Sequence, residues 1–318
     1  MKLVIAIDGD LLVSEDQSLG MAGQMDAITH IAGQLGELVS SGNNLVITHG
    51  NAPQVGFMLL RGEAARHIVH PLPLDICGAD TQGATGYMLQ QALRNWLDQN
   101  GINNDVLTII TQVVVGAPAP HGAPSIKGIG PFFEMGRAQA LKKNHGWDMV
   151  MVPGQGYQRF VPCLTPKRIL EANTIRSLFE NGEVVVCSGG GGIPVRILEQ
   201  GHIIGVEAVV DKAYTAFLLG EELRAEAIIF VSPWERIVNT FDLDLNHGLH
   251  NIDFNDLEKL ISRSPNIEDT MQHKLIASRN SLEENGRQVL IIPPDQLGKI
   301  PDRCKGIQLI AGKTPVRA

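Results

Sequence analysis

Leu45–Gly56, LVITHGNAPQVG, constrains this chain more than any other stretch. Its first residues, Leu45–Thr48, form an apolar run that reads as a buried strand. His49–Gly50–Asn51–Ala52–Pro53 is turn chemistry. A helix can start from Gln54, because Pro53 sits near the first helical position, where a missing N–H costs little. A strand, a tight turn and a helix N-terminus make either a plain crossover or an anion site, in which backbone N–H groups and the helix dipole converge on one spot. This stretch alone does not choose between the two, so the rest of the chain has to.

The strand-to-turn pattern recurs. Lys2–Ile7 reads as a strand closed by Asp8–Gly9–Asp10. Met21–Ser40 carries Met25, Ile28, Ile31, Ala32 and Leu35 at helical spacing and stops at Ser41–Gly42–Asn43. Helices are expected from about Gln54 to His67 and from about Thr81 to Asn100, and a strand over Val106–Val115. Gly116–Gly130 is rich in Gly and Pro and has no core pattern. We read 116–160 as a protruding subdomain with a short helix, Glu134–Asn144, and the segment Met149–Val152. The chain then returns through a helix (Asn173–Asn181), a strand (Val184–Cys187), the glycine run Ser188–Gly192 with Ile193–Pro194–Val195 after it, and a strand (Ile203–Val210). A helix over Asp211–Leu223 and a strand over Ala227–Val231 follow. Phe254–Ser262 and Met271–Glu284 look helical, and Val289–Pro293 and Gly306–Ile310 are closing strands. Such alternation implies an α/β fold: a mostly parallel sheet with helices on both faces.

Composition narrows the function. The net charge of −8 over 318 residues argues against a nucleic-acid or anionic-membrane partner, either of which needs a basic face. Cys77, Cys163, Cys187 and Cys304 are widely spaced, with no CxxC or Cys/His cluster, so no metal site is expected. Scattered single thiols suit a reducing cytoplasm. The N-terminus is apolar only from Leu3 to Ile7, too short for a signal segment, and no apolar run approaches membrane-spanning length.

Three candidate anion loops, Asp8–Asp10, His49–Pro53 and Ser188–Gly192, each follow an expected strand, at the sheet edge where open α/β folds bind ligands. Four consecutive glycines lose much backbone entropy on folding, so Gly189–Gly192 is either a close approach to a ligand or a tight crossover. No GKS or GKT follows, so it is not a P-loop. Asp211–Lys212 opens a helix directly after a strand. It is either an N-cap beside a solvated lysine, or Lys212 aimed at a phosphoryl group with Asp211 holding it. Lys127 and Lys274 are unremarkable on their own.

Taken together, these residues resemble the carbamate kinases of the amino-acid kinase family, over Lys2 to about Thr314. The matching blocks are Thr48–His49–Gly50–Asn51 with Pro53–Gln54–Val55–Gly56, Asp80–Thr81–Gln82–Gly83 with Gly86–Tyr87, Thr111–Gln112–Val113, Ile129–Gly130–Pro131–Phe132, and Pro166–Lys167–Arg168–Ile169. Gly189–Val195 and Gly205–Val209 with Asp211–Lys212 complete the set. The resemblance implies a homodimeric three-layer α/β/α sandwich with a small protruding subdomain. Residues 1–200 would bind carbamate or carbamoyl phosphate, and 201–318 the nucleotide. The implied reaction is MgADP plus carbamoyl phosphate giving MgATP plus carbamate, reversibly. Lys127, Lys212 and Lys274 would neutralise the transferring phosphoryl group, Asp211 would orient the lysines, and Gly9, Gly50, Asn51, Ala52, Gly189, Gly190 and Gly191 would cradle the substrates. This suits phosphoryl transfer, which needs positioning and positive charge more than a covalent nucleophile.

The departures gather at the nucleotide end, expected at Asp8, Asp10, Ser232 and Trp234. Asp8–Gly9–Asp10 replaces Gly-Gly-Asn, which sets a carboxylate where backbone would close on phosphate. Ala52 replaces a glycine and is strained if that position needs positive φ. Ser232–Pro233–Trp234–Glu235 replaces Thr-Asp-Val-Asp, with Val238 at a tyrosine position. Asp269–Thr270–Met271–Gln272–His273–Lys274 keeps only the methionine and lysine of Gly-Ser-Met-Gly-Pro-Lys, and Ala213 replaces an aspartate. One alternative is a catalytically impaired family member acting as a small-anion-binding or regulatory partner. Another starts from Asp8-x-Asp10, which resembles the opening of haloacid-dehalogenase-type phosphatases. There the first Asp is the nucleophile and the pair holds Mg²⁺, but Leu11–Leu12 do not continue that motif.

Overall fold

A computed structural model describes residues 1–13, 20–118, 126–241, 248–262, 269–285, 287–300 and 304–310. In chain order its elements begin with β1 (Lys2–Ile7), a 3₁₀ turn (Gly9–Leu12), α1 (Gly20–Ser40), β2 (Asn44–His49), α2 (Ala52–Ala64) and α3 (Leu74–Gln99). Next come β3 (Val106–Ile109), β4 (Gln112–Pro118), β5 (Ile126–Phe133), α4 (Met135–His145), β6 (Asp148–Val152) and β7 (Gly156–Ile169). They are followed by α5 (Ala172–Glu180), β8 (Val184–Cys187), β9 (Ile193–Ile197), β10 (Ile203–Gly205), β11 (Val209–Val210) and α6 (Lys212–Glu222). The chain closes with β12 (Ala227–Val231), α7 (Trp234–Phe241), β13 (Leu249–Ile252), α8 (Phe254–Ser262), α9 (Asp269–Asn285), β14 (Gln288–Ile292) and β15 (Gly306–Leu309).

The central sheet has the order β13-β15-β14-β12-β1-β2-β8-β3. All its pairs are parallel except β14 with β15. Side chains alternate across a strand, and β1 shows the result. Leu3, Ile5 and Ile7 pack with α1 and α3, while Val4 and Ala6 join the opposite core with α5, α6 and α9. Burial on both faces is why these strands read as unbroken apolar runs. The α/β class is therefore as expected, with helices on both sides of a mostly parallel sheet.

A second sheet, β10-β9-β4-β7-β11, with β5 and β6 paired to β7, was not anticipated. It corrects two expectations. Val106–Val115 is not one strand: β3 lies in the central sheet and β4 in the second, because Thr111 leaves the ladder to donate its N–H to the Gln82 side chain at 2.9 Å. Ile203–Val210 is likewise broken into β10, on β9, and β11, on β7. Helix α3 starts at Leu74 rather than Thr81, with Pro73 as its N-cap, and α2 ends at Ala64, short of His67. Part of the Gly/Pro-rich stretch, 119–125, lies outside the described residues.

The register of the central strands sets up the site. Ile7 pairs with Val231 on one side and His49 on the other. Asp8, Ser232 and Gly50 are therefore the next residues out along one edge of the sheet.

Candidate active site

The first two turns press on each other there. A Cβ on Gly50 would lie 2.6 Å from the Gly9 nitrogen, so backbone meets backbone at that point. The glycine run packs beside them. Gly190 has φ +67°, and a Cβ there would lie 2.2 Å from the Asn51 Oδ1. Ser188, just before, is a buried non-glycine residue at φ +52°, the kind of backbone strain that proteins retain at functional loops. Gly189 is pinned through its carbonyl to Gln82 Nε2 at 2.9 Å, and Gly191 through its carbonyl to Thr215 Oγ1 at 2.8 Å. Asn51 donates to Thr81 Oγ1 at 2.8 Å. Ala52 is the first residue of α2 and is not among the positive-φ residues, so the strain expected of it does not arise.

Two buried carboxylates organise the charges. Asp211 caps α6, accepting the Ala213 N–H at 2.9 Å on Oδ1. Its Oδ2 takes Lys127 Nζ and His273 Nδ1, each at 2.7 Å. Lys127 reaches it because β5 and β11 both pair with β7. Burial would raise the Asp211 carboxyl, but Lys127 and His273 reverse that and hold it well below the usual carboxylate range.

Asp8 is the centre of the second group. Its Oδ1 accepts from Lys212 Nζ at 2.5 Å, and its Oδ2 from Lys274 Nζ at 2.6 Å, Ser232 Oγ at 2.8 Å and Arg236 Nη1 at 2.9 Å. Arg236 also donates to Asp10 at 2.8 Å. Burial opposes ionisation of Asp8, yet Lys212 and Lys274 hold its carboxyl far below the ordinary range. For Lys274 the balance goes the other way: burial outweighs the attraction of Asp8 and lowers the ammonium to about 8. Among the described residues, Lys127, Lys212, Lys274 and Arg236 thus face Asp8, Asp10 and Asp211.

Asp8, Gly9, Asp10, Gly50, Asn51 and Ala52 line one cleft together with Lys127, Gly190 and Lys212. Lys274, Asp211 and Ser232 are buried just behind it through the bonds above. Gly189 and Gly191 support the loop, and Trp234 stands half-exposed at the start of α7. The cleft is small, about 90 Å³, against about 300 Å³ and upward for ordinary ligand pockets. Among the described residues no group of three His, Cys, Asp or Glu side chains is arranged to hold a metal ion.

Sequence reasoning missed Arg236 and His273. Two acidic side chains in one turn at a sheet edge demand cationic partners, which was the available signal for Arg236. His273 had only its place beside Lys274.

Residues 1–293 match the amino acid kinase family. The chain is 36% identical to a carbamate kinase of Pyrococcus horikoshii over 315 residues, covering 98% of this chain and 97% of the relative. It is 36% identical to the carbamate kinase-like protein YahI of Escherichia coli, covering 93% and 94%. Carbamate kinase from Giardia lamblia bound to AMP-PNP superposes with a TM-score of 0.83 at 26% identity, over 98% of each chain.

Proposed function

The chain belongs to the amino acid kinase family, and on that premise we propose that it is a carbamate-kinase-type phosphotransferase, moving a phosphoryl group between carbamoyl phosphate and MgADP. The observation that carries this reading is the convergence of Lys127, Lys212 and Lys274, with Asp211, at the open edge of the sheet. The phosphoryl group leaves the carbamoyl oxygen, passes to the terminal phosphate oxygen of ADP, and carbamate departs. Lys212 and Lys274 bind the equatorial oxygens and Lys127 offsets charge on the carbamate side, held by Asp211. The backbone of Gly9, Gly50 and Gly190 and the N-terminus of α2 at Asn51 and Ala52 orient the small acceptor.

Asp8 sets the condition for turnover. A carboxylate about 4 Å from a phosphate oxygen costs about 4 kcal/mol at an effective dielectric of 20, more than a few neutral hydrogen bonds return. The side chain therefore has to yield its place between the lysines when substrate enters, and Arg236, already bonded to both Asp8 and Asp10, is there to receive it. The small cleft has to open for a nucleotide, whose place lies on the side of Asp10, Ser232 and Trp234. The same carboxylate motivates the second reading, a catalytically impaired anion-binding or regulatory protein, because Asp8 already satisfies both lysines. In either case we place the protein in the cytoplasm as a homodimer; four free, buried thiols favour a reducing compartment.

The test is ATP formation from ADP and carbamoyl phosphate with Mg²⁺. Turnover abolished by Lys212→Ala supports the transferase. No turnover above that variant, combined with retained anion binding, selects the second reading.

A further inference from the structure

A second cavity, about 410 Å³, lies between the C-terminal half of α2, the start of α3, the end of α4 and β7. It shares no lining residue with the cleft, and its size is within the range of small-molecule sites. Two arginines on its wall make no hydrogen bond among the described residues. Arg66, exposed just past the end of α2, has Glu63 at 3.6 Å, and Arg159, on β7, has Glu207 at 3.7 Å, both beyond ordinary hydrogen-bond length. Trp147 covers one side of the Arg159 guanidinium, whose Cζ lies 4.5 Å from the ring centroid. The five donors lie in the guanidinium plane and are not used by that contact. The Arg159 side chain keeps 15% of its surface exposed, and none of its nitrogens is among the sealed, unpaired polar atoms. Burial still outweighs the attraction of Glu207 and lowers the guanidinium from its ordinary value, so its charge is under-compensated. The two carboxylates on the wall are supplied by other groups. Glu63 Oε1 accepts from Arg137 at 3.0 Å and has His145 Nε2 at 3.3 Å. Glu207 accepts the Leu74 N–H at 2.9 Å, at the positive end of α3.

We propose that this cavity is a binding site for a small organic carboxylate carrying an apolar group. The carboxylate meets the edge of Arg159, where the planar fork of a guanidinium offers two parallel hydrogen bonds, and Arg66 on the same wall adds a second positive charge. A phosphate group would bring further negative charge against Glu63 and Glu207, so a singly charged anion is selected. The apolar part of the wall, Met58, Leu59, Leu72 and Pro73, takes the rest of the ligand, and methionine adapts readily to varied apolar shapes. Binding here is independent of what the cleft transfers.

Calorimetric titration of the full chain with benzoate tests this, with benzamide as the uncharged control of the same shape. Saturable binding of benzoate is expected, with benzamide roughly tenfold weaker or more. Arg159→Gln should weaken benzoate binding by about tenfold or more. Arg66 is exposed, so Arg66→Gln retains the fold, and it should weaken binding by about two- to fivefold. Lys212→Ala, in the cleft, should leave benzoate binding unchanged. Crystals soaked in benzoate should show its carboxylate against Arg159. No saturable binding of benzoate, benzamide bound equally well, or an affinity that Lys212→Ala removes and the two arginine variants do not, overturns the proposal.

Discussion

Asp8→Gly removes the side chain on which the second charge group is built. In the wild type one carboxylate receives Lys212, Lys274, Ser232 and Arg236 within 2.9 Å. Deleting it leaves two buried ammonium groups without their counter-ion, a class of change that costs about 3–5 kcal/mol. At about 2 °C per kcal/mol for a chain of this size, the melting temperature in phosphate-free buffer should fall by roughly 6–10 °C. The vacated position then suits an incoming anion. Removing a like charge about 4 Å away is worth about 4 kcal/mol at a dielectric of 20, nearly a thousandfold in affinity. Phosphate should therefore stabilise the variant far more than the wild type, by about 2.7 kcal/mol at a hundred times its Kd. The gain depends on pH. Lys274, lowered by burial to about 8 even with Asp8 beside it, loses that support in the variant, so rescue should be stronger at pH 6 than at pH 8. Scanning calorimetry with a phosphate titration measures all of this, and Asp8→Asn separates charge from backbone effects. A variant that melts with the wild type and ignores phosphate would refute the reasoning.

Lys274 also sets an alkaline limit. Its folded value of about 8 lies below the ordinary 10.5, so the ammonium is intact below about 8 and lost above it, and phosphoryl transfer should decline through that range. Lys274→Arg, which stays charged, should move the decline to higher pH even if its maximal rate is lower. Asp211→Asn should cost about 3–5 kcal/mol of stability, because it strands Lys127, and should lower kcat by about a hundredfold or more. Stability and kcat unchanged in that variant would remove Asp211 from the account. For acid unfolding, Asp8 and Asp211 both titrate well below 3.8 when folded. Their stabilisation is complete above that value and is lost only as pH falls beneath it, so an acid midpoint near neutrality would contradict both pairings. Gly190→Ala, with a Cβ 2.2 Å from Asn51 Oδ1 at positive φ, should cost about 1–2 kcal/mol and raise KM for carbamoyl phosphate, measured by steady-state kinetics.

Much of this was legible in the chain itself, for identifiable reasons. The strands β1, β2, β8 and β12 are buried on both faces, so their residues form unbroken apolar runs that need no partner to be recognised. The glycine run and Asp211–Lys212 announce themselves through local backbone chemistry; of the two readings that pair allowed, Asp211 is an N-cap, but the lysine beside it is buried against Asp8 rather than solvated. The second sheet was hidden because its long strand β7 carries Pro162 and Pro166 among mixed polar residues, which masks the alternation. The charge arrangement at Asp8 was hidden for a different reason. Local reading saw a carboxylate intruding on a phosphate turn. Its meaning depends on Arg236 and Lys274, more than 220 residues away, and on a strand register that sequence periodicity does not specify.

The central claim is that Lys212 and Lys274 grip the transferred phosphoryl group once Asp8 gives way. A crystal structure grown with MgADP and vanadate as a phosphoryl mimic tests it most directly. We expect the oxyanion about 2.7–2.9 Å from both ammonium groups, with the Asp8 carboxylate swung toward Arg236. An oxyanion bound elsewhere, with both lysines still closed on Asp8, would contradict the account.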